Sequence, residues 1–310
     1  MNLFIGLVRG SRLLLPYSKD FVDRLGYDIL FIEKEIPNSE NVKIKPDLVL
    51  ISRKLRNTLF FEFTHADIGK KLKTNAKGQT QIERYSLSER DYLSTLIPSE
   101  CLESFDFPFM VEEKNYAGFE QFFTENPQYP FPLLKLKYSE TYNFQLLLNS
   151  FSSEELCEFF RQELTFHRIP EYLTVDLSDL SNSVYTIFRK CTKYIIQYLQ
   201  RGRKDDTFSS LDLSVKIFTP EVWEIFDPSI QKNLVKSVDD FTNKLLGKFP
   251  TLTKEFFKSE KKGNYKILLD ERNREVKISK IFTRMMDITE EIITPDLLLP
   301  KLFDDSEYYN

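Results

Sequence analysis

At 310 residues the chain is long enough for two domains, or for one domain with a large appendage. Its 41% hydrophobic and 29% charged residues are ordinary for a soluble globular protein, and a net charge of -4 argues against a uniformly basic nucleic-acid coat while leaving room for a local basic groove. Three widely spaced cysteines (Cys101, Cys157, Cys191) fit no zinc or disulfide spacing, and only two histidines are present, so a zinc or iron site built from His and Cys is disfavoured.

The first segment, MNLFIGLVRGSRLLLPYS, has short apolar runs interrupted by arginines and no small-residue cleavage site, so no export signal is read there. No stretch reaches membrane-spanning length without charges, and a reducing cytoplasmic setting without membrane contact is expected. SKDFVDRLGY predicts a short amphipathic helix with Ser18 as N-cap and Gly26 near its end. DILFIEKEI predicts a strand, PDLVLISR a second and RNTLFFEFTH a third, the last two joined by a tight turn at Lys54 to Asn57. A Lys-rich polar loop (Gly69 to Thr80) leads into a helix from about Thr80 to Leu96. FPFMVEEK, GFEQFFTE and PLLKLKY then give strand, helix and strand. Residues 1–138 therefore form an α/β domain: helix, three-strand meander, helix, strand.

From Ser139 the spacing turns helical, over Tyr142 to Phe166 and Val184 to Leu199, so 139–203 is expected to be a helical region. RGRKDDTFSS (Arg201 to Ser210) is the linker candidate; its cations Arg201, Arg203 and Lys204 suit a linker first and a phosphate clamp second. Beyond it, 204–310 is expected to be an α+β domain. Helices are predicted near Pro220 to Phe226, Pro228 to Leu246 and Leu252 to Lys258, then a hairpin turning at Glu271-Arg272-Asn273, with DDSEYYN as an acidic tail. That is the chain order of a winged-helix module, an order many small α+β pieces share; in such a module Lys254, Lys258, Lys261 and Lys262 would meet a nucleic-acid backbone. Trp223 is expected to anchor a core.

The chemistry concentrates between Lys45 and Tyr85. Glu62 stands among large apolar residues in LFFEF, where a charged side chain is costly to bury unless compensated. Strand alternation puts Glu62 and Thr64 on one face and Phe61, Phe63 and His65 on the other, with His65 expected to pack against a helix. Asp47 opens the neighbouring strand, and a hairpin can bring the two carboxylates to one locus, where oxygen ligands suit a hard divalent cation. Gln81 and Tyr85, four apart on a helix, share a face. Other roles fit the same residues: Asp47 as an exposed strand start, Glu62 on an edge strand paired with Lys54 or Arg56, Gln81 and Tyr85 as helix surface, and the lysines as a solvated loop.

Pro46-Asp47, Glu62-Phe63-Thr64 and Gln81-x-x-x-Tyr85, in this element order, resemble the restriction-endonuclease-like PD-(D/E)xK nuclease superfamily, nearest its QxxxY branch, over about residues 17–138. The resemblance implies a Mg²⁺- or Mn²⁺-dependent phosphodiester hydrolase, acting on DNA more readily than RNA. Asp47, Glu62 and the Phe63 carbonyl would be the metal ligands, and Gln81 and Tyr85 would orient the substrate. It also implies an additional acid in the first helix, for which Asp20 and Asp23 are candidates. Thr64 departs from the pattern, since the family carries a lysine there; Lys71 is taken as the substitute amine, with Lys70, Lys73 and Lys45 as alternatives. Lys70, Lys73, Lys77 and Arg84 would contact nucleic acid. Restriction, antiviral defence or mobile-element processing is the setting by association, with a protein partner or a second copy as further associates. Thr64 also favours a different reading, a catalytically silent nuclease fold serving nucleic-acid binding or assembly. The acidic net charge favours a third, a protein-interaction module.

Overall fold

A computed structural model describes residues 1–39, 42–75, 77–168, 180–218, 220–248, 256–269 and 275–279. The protein is α/β, and the chain divides into two compact units. The first holds the described residues up to Arg168 together with Ile225–Asp227; the second holds those from Leu180 onward without that short insert.

In the first unit α1 (Asn2–Val8) and α2 (Tyr17–Lys19, widening into a π-turn over Asp20–Arg24) precede β1 (Tyr27–Ile32). A hairpin of β2 (Ile36–Ser39) and β3 (Val42–Ile44) follows, then β4 (Leu48–Ser52) and β5 (Asn57–Thr64). Three short helices come next: α3 (Ile68–Lys71), α4 (Gln81–Ser86) and α5 (Arg90–Leu93). β6 (Ser104–Asp106), β7 (Phe109–Glu112), α6 (Glu113–Glu125), β8 (Leu133–Tyr138), β9 (Tyr142–Leu148), α7 (Glu154–Arg161) and β10 (Leu164–Phe166) complete it. The mixed sheet runs β1-β4-β5-β7-β8-β9-β10, with β6 also on β5. β4 is antiparallel to β1 and β5, whereas β5, β7 and β8 are parallel, so α6 is the crossover between β7 and β8.

Alternation along β5 assigns the two faces. Phe60 joins Tyr85, Phe107, Phe109 and Phe119 in the core beneath α4 and α6. Phe61 points the other way, with its ring 4.3 Å from that of Phe4 on α1, which also meets Phe144 and Phe160. A sheet covered on both faces explains why all five residues of β4 are buried, and each fully buried Phe contributes about 1.5–3 kcal/mol.

Several expectations change. Ser18 does not cap a helix: Pro16 occupies that position, and the buried Ser18 hydroxyl turns to the Ser11 carbonyl. The helix expected over Thr80 to Leu96 breaks at Leu87–Glu89, because the Glu89 N–H is drawn to the Asn38 carbonyl at 2.6 Å while Asn38 Nδ2 donates to the Arg84 carbonyl. DILFIEKEI does not run on as one strand, since Glu33 adopts φ +54° and redirects the chain into the β2–β3 hairpin. Tyr142 to Phe166 is strand, helix and strand rather than helical throughout, and its strands extend the main sheet. The unit therefore continues past the expected boundary at Tyr138, and no separate helical region starts at Ser139.

In the second unit α8 (Leu180–Arg201) leads to β11 (Thr207–Ser209), α9 (Ser210–Phe218), α10 (Pro220–Trp223) and α11 (Pro228–Lys248), then β12 (Phe257–Lys261) and β13 (Asn264–Ile267). The three strands form an antiparallel sheet in the order β11-β13-β12. The expected linker thus holds the end of α8 and a strand, so α8 and β11 fall within one unit across the expected boundary at Arg203/Lys204. YKIL does form a hairpin arm, but it pairs upstream with β12 across Lys262-Gly263, and 275–279 is helical rather than the return strand. Phe257 and Lys258, expected to end a helix, begin β12. Residues 252–255 of that expected helix, Lys254 among them, the turn at Glu271-Arg272-Asn273 and the DDSEYYN tail lie outside the described residues. Trp223 is buried beside Phe218.

Gly26 ends α2 at φ +71°, and a Cβ built there would lie 2.9 Å from the Lys54 Cβ. Gly26→Ala is expected to cost at least about 1–2 kcal/mol, the penalty of a left-handed L-residue, read as a lower urea midpoint with an unchanged m-value.

Candidate active site

The register of β4 on β5 builds the site. Leu48 pairs with Phe61, so Asp47, one step earlier, stands opposite Glu62. The backbone continues that ladder: the Asp47 N–H donates to the Phe61 carbonyl at 3.0 Å, and the Phe63 N–H donates to Asp47 Oδ2 at 2.6 Å. Two carboxylates are thereby fixed by main chain at the end of β5.

Glu62 is 2% exposed, and both of its oxygens are engaged. Lys71, reaching back from α3, places Nζ 3.0 Å from Oε2, and the Tyr85 hydroxyl donates to Oε1. Gln81 Nε2 donates in turn to the Tyr85 oxygen at 3.3 Å. These groups explain how a charge survives amid LFFEF: a buried carboxylate needs a cation or strong donors, and Glu62 has both. Lys54 and Arg56 are not its partners, for Lys54 donates to the Asp23 carbonyl and Arg56 pairs with Glu103.

Local chemistry positions the helical members. Asp67 caps α3 by accepting from the Lys70 N–H, which sets the turn that carries Lys71. Thr80 and Glu83 form a reciprocal capping box that starts α4, and the four-residue spacing then puts Gln81 and Tyr85 on one face.

Burial pushes the Asp47 carboxyl up to about 7, with repulsion from Glu33 adding to it and the Phe63 N–H and Lys71 opposing. Burial also raises Glu62 to about 7, Asp47 adding and Lys71 and Tyr85 opposing. Acidic groups held in this range share protons readily near neutrality.

Glu33 is the member the sequence did not single out. It is 7% exposed, it lies close enough to Asp47 for its charge to act there, and Lys45 Nζ lies 3.0 Å from its Oε2. Its left-handed backbone at the end of β1 turns it toward Asp47, and no residue type signals such a turn when the position is not Gly or Asn.

Other expected residues stand elsewhere. The Thr64 hydroxyl is occupied by the turn leaving β5, accepting from the Ala66 N–H at 3.2 Å. Lys70, Lys73 and Lys77 are exposed on the segment between β5 and α4. Arg84 folds back to donate to the Lys43 carbonyl, and Asp20 is held by Arg24 at 2.6 Å. His65 does not pack against a helix: its side chain is 74% exposed and bonds Glu112, because Asn115 holds the His65 carbonyl at the strand end.

Two carboxylates at one locus suit a hard divalent cation, since Mg²⁺ is bound through one or two protein carboxylates and keeps several waters. Among the described residues no group of three or more His, Cys, Asp or Glu side chains has a metal-holding arrangement. No helix among the described residues is long and apolar enough to cross a membrane.

The raised carboxyl gives a stability test with a defined sign. A carboxyl near 7 in the fold and near 4 when unfolded favours folding at low pH and loses that contribution as pH rises between the two values. Asp47→Asn removes the ionisable group and keeps an acceptor for the Phe63 N–H. The variant is expected to be more stable than the wild type at pH 8, by on the order of 2 kcal/mol, with the gain fading as pH falls from 7 to 4. Thermal melts across that range measure it. Comparison with protein-family models, with curated proteins and with solved structures found no match in any of the three.

Proposed function

We propose that the protein is a Mg²⁺- or Mn²⁺-dependent nuclease that hydrolyses phosphodiester bonds, in DNA more readily than in RNA, on a restriction-endonuclease-like core. The observation that carries this reading is the meeting of three groups: Asp47 opposite Glu62 on adjoining strands, and the Lys71 ammonium 3.0 Å from Glu62. The order of meander, helices and parallel strand, β1-β4-β5 then β7, supports the fold assignment. The helix–strand–helix–helix–helix–strand–strand order of the second unit, with the short α10 between α9 and α11, supports a winged-helix assignment there.

Asp47, Glu62 and the Phe63 carbonyl would hold the ion. When bound, it supplies Lewis acidity at the phosphate and makes water a better nucleophile at neutral pH. The protein groups have separate tasks. Asp47 and Glu62 gather negative charge at one point, which selects a cation over a neutral ligand. Tyr85, steadied by Gln81, fixes the rotamer of Glu62. Lys71 brings a positive charge to the position where Thr64 supplies none, and an ammonium there stabilises the charge that develops on the phosphoryl oxygens.

One observation favours the silent-fold reading. Both Glu62 oxygens are satisfied within the protein, and the Thr64 hydroxyl is committed to a turn. In that case the site is a structural remnant and the protein holds nucleic acid without cutting it.

Incubation with plasmid, linear and single-stranded DNA and with RNA, in Mg²⁺ or Mn²⁺, separates the two. Cleavage by the wild type is expected, with Asp47→Ala, Glu62→Ala and Lys71→Ala each slower by about 10²–10³-fold. Calorimetric Mn²⁺ binding should vanish in Asp47→Ala and Glu62→Ala and persist in Lys71→Ala. Cleavage that survives both acid substitutions rules out this site; binding without cleavage selects the silent fold.

A further inference from the structure

The β8–β9 hairpin of the first unit carries the most exposed large apolar side chain among the described residues. Tyr138, the last residue of β8, is 67% exposed, although it closes a regular antiparallel ladder opposite Tyr142. The two rings stack with centroids 4.4 Å apart and planes 28° from parallel. A stacked neighbour covers one face of a ring, so Tyr142 stiffens Tyr138 and leaves its outer face to water. A rigid ring with a wetted face adds little to the fold and is pre-organised for a flat ligand.

The sheet register sets where this ring stands relative to the carboxylates. β5, β7 and β8 are parallel, and Glu62, Phe109 and Leu133 lie side by side. The β8–β9 turn therefore leaves the sheet from the edge toward which β5 carries Glu62, two strands across and five residues farther along. At about 3.3 Å per residue and about 4.8 Å between strands, Tyr138 stands roughly 19 Å from Glu62. An extended nucleotide chain covers that span in a few units.

Alternation divides the hairpin between two faces. Lys135 and Lys137 follow the core residue Leu133 on the face shared with Glu62, and Lys135 Nζ lies 5.6 Å from the Tyr116 ring centroid of α6. Tyr138 takes the other face together with Tyr142, which stands two residues before Phe144, a neighbour of Phe4 on α1. A single strand laid over this edge can turn its phosphates to the lysines and a base to the ring. The two lysines share one acid, Glu113, 3.8 Å from each, and Glu140 stands in the turn. The tip is thus close to neutral, and the ring must carry more of the contact than charge does. That balance suits unpaired bases, whose π-faces are open, better than a duplex, which is held mainly through its phosphates.

We propose that Tyr138, braced by Tyr142, is a stacking platform for an unpaired base, and that the substrate of the candidate site is single-stranded nucleic acid. The inference rests on the nuclease reading for the link to hydrolysis, and the platform is tested by itself.

The full-length protein in EDTA is titrated into a labelled single strand and into a duplex of the same sequence, and followed by fluorescence anisotropy over a salt series. The single strand is expected to bind at least tenfold more tightly than the duplex. Tyr138→Ala and Tyr138→Leu should each weaken single-strand binding about tenfold, the loss of one stacked base, and Tyr138→Trp should retain it. The slope of log affinity against log salt should hold in these variants. It should fall by about 1.4 when Lys135→Gln and Lys137→Gln are combined, at about 0.7 for each phosphate contact. The melting temperature of Tyr138→Leu should match that of the wild type, because the side chain is exposed. Wild-type affinity in either Tyr138→Ala or Tyr138→Leu overturns the proposal, as does a duplex bound as tightly as the single strand. So does a wild-type dimer that Tyr138→Ala separates while single-strand affinity stays unchanged. Loss of single-strand binding in both variants, with no cleavage by the wild type, leaves the platform standing and fails the hydrolase. Cleavage by the wild type with undiminished binding in the variants does the reverse.

Discussion

The first unit is organised around one unfavourable placement, the carboxylate of Glu62 inside an aromatic strand. A charge so enclosed needs partners, and two elements supply them, a lysine from α3 and a phenol from α4, while a second acid stands across the β4–β5 ladder. The two favourable contacts offset part of the desolvation; the neighbouring acid works against them. The balance leaves both carboxyls near 7, far above an exposed side chain. Tension of this kind is uncommon where only stability is at stake, since a Leu or Met in place of Glu62 would fill the space without the charge.

The scaffold makes that tension sustainable. β4 and β5 are central strands covered on both faces, so the positions of Asp47 and Glu62 are set by main-chain bonds and packed rings. A surface loop could not hold two mutually repelling acids in register; they would separate into water.

Much of this was legible in the sequence, and the parts that were not share a physical cause. Strand alternation and four-residue helical spacing are local rules, and they place Asp47, Glu62, Gln81 and Tyr85 without any knowledge of the fold. Lys71 entered only through the family resemblance, beside Lys70, Lys73 and Lys45, and it is the contact with Glu62 that singles it out. Glu33 was hidden because a left-handed turn at a glutamate has no compositional mark. Tyr142 to Phe166 misled because a short apolar run fits helix and strand alike, and the choice is made by an available sheet edge. The C-terminal hairpin misled for a related reason: YKIL pairs with the segment before it, and local turn chemistry at Asn273 does not reveal that competition.

The origin of Lys71 has its own consequence. In a chain with the amine on β5, acid and base would share one rigid strand and could only move together. Here the ammonium rides on a single capped turn, α3, that belongs to neither the sheet nor the long crossover helix. Short exposed turns open at far smaller free energies than central strands. The acidic pair is therefore as permanent as the protein, while its counter-charge can leave and return within the lifetime of the folded state. Each departure frees Glu62 Oε2, while the Tyr85 hydroxyl keeps Oε1 and the Phe63 N–H keeps Asp47.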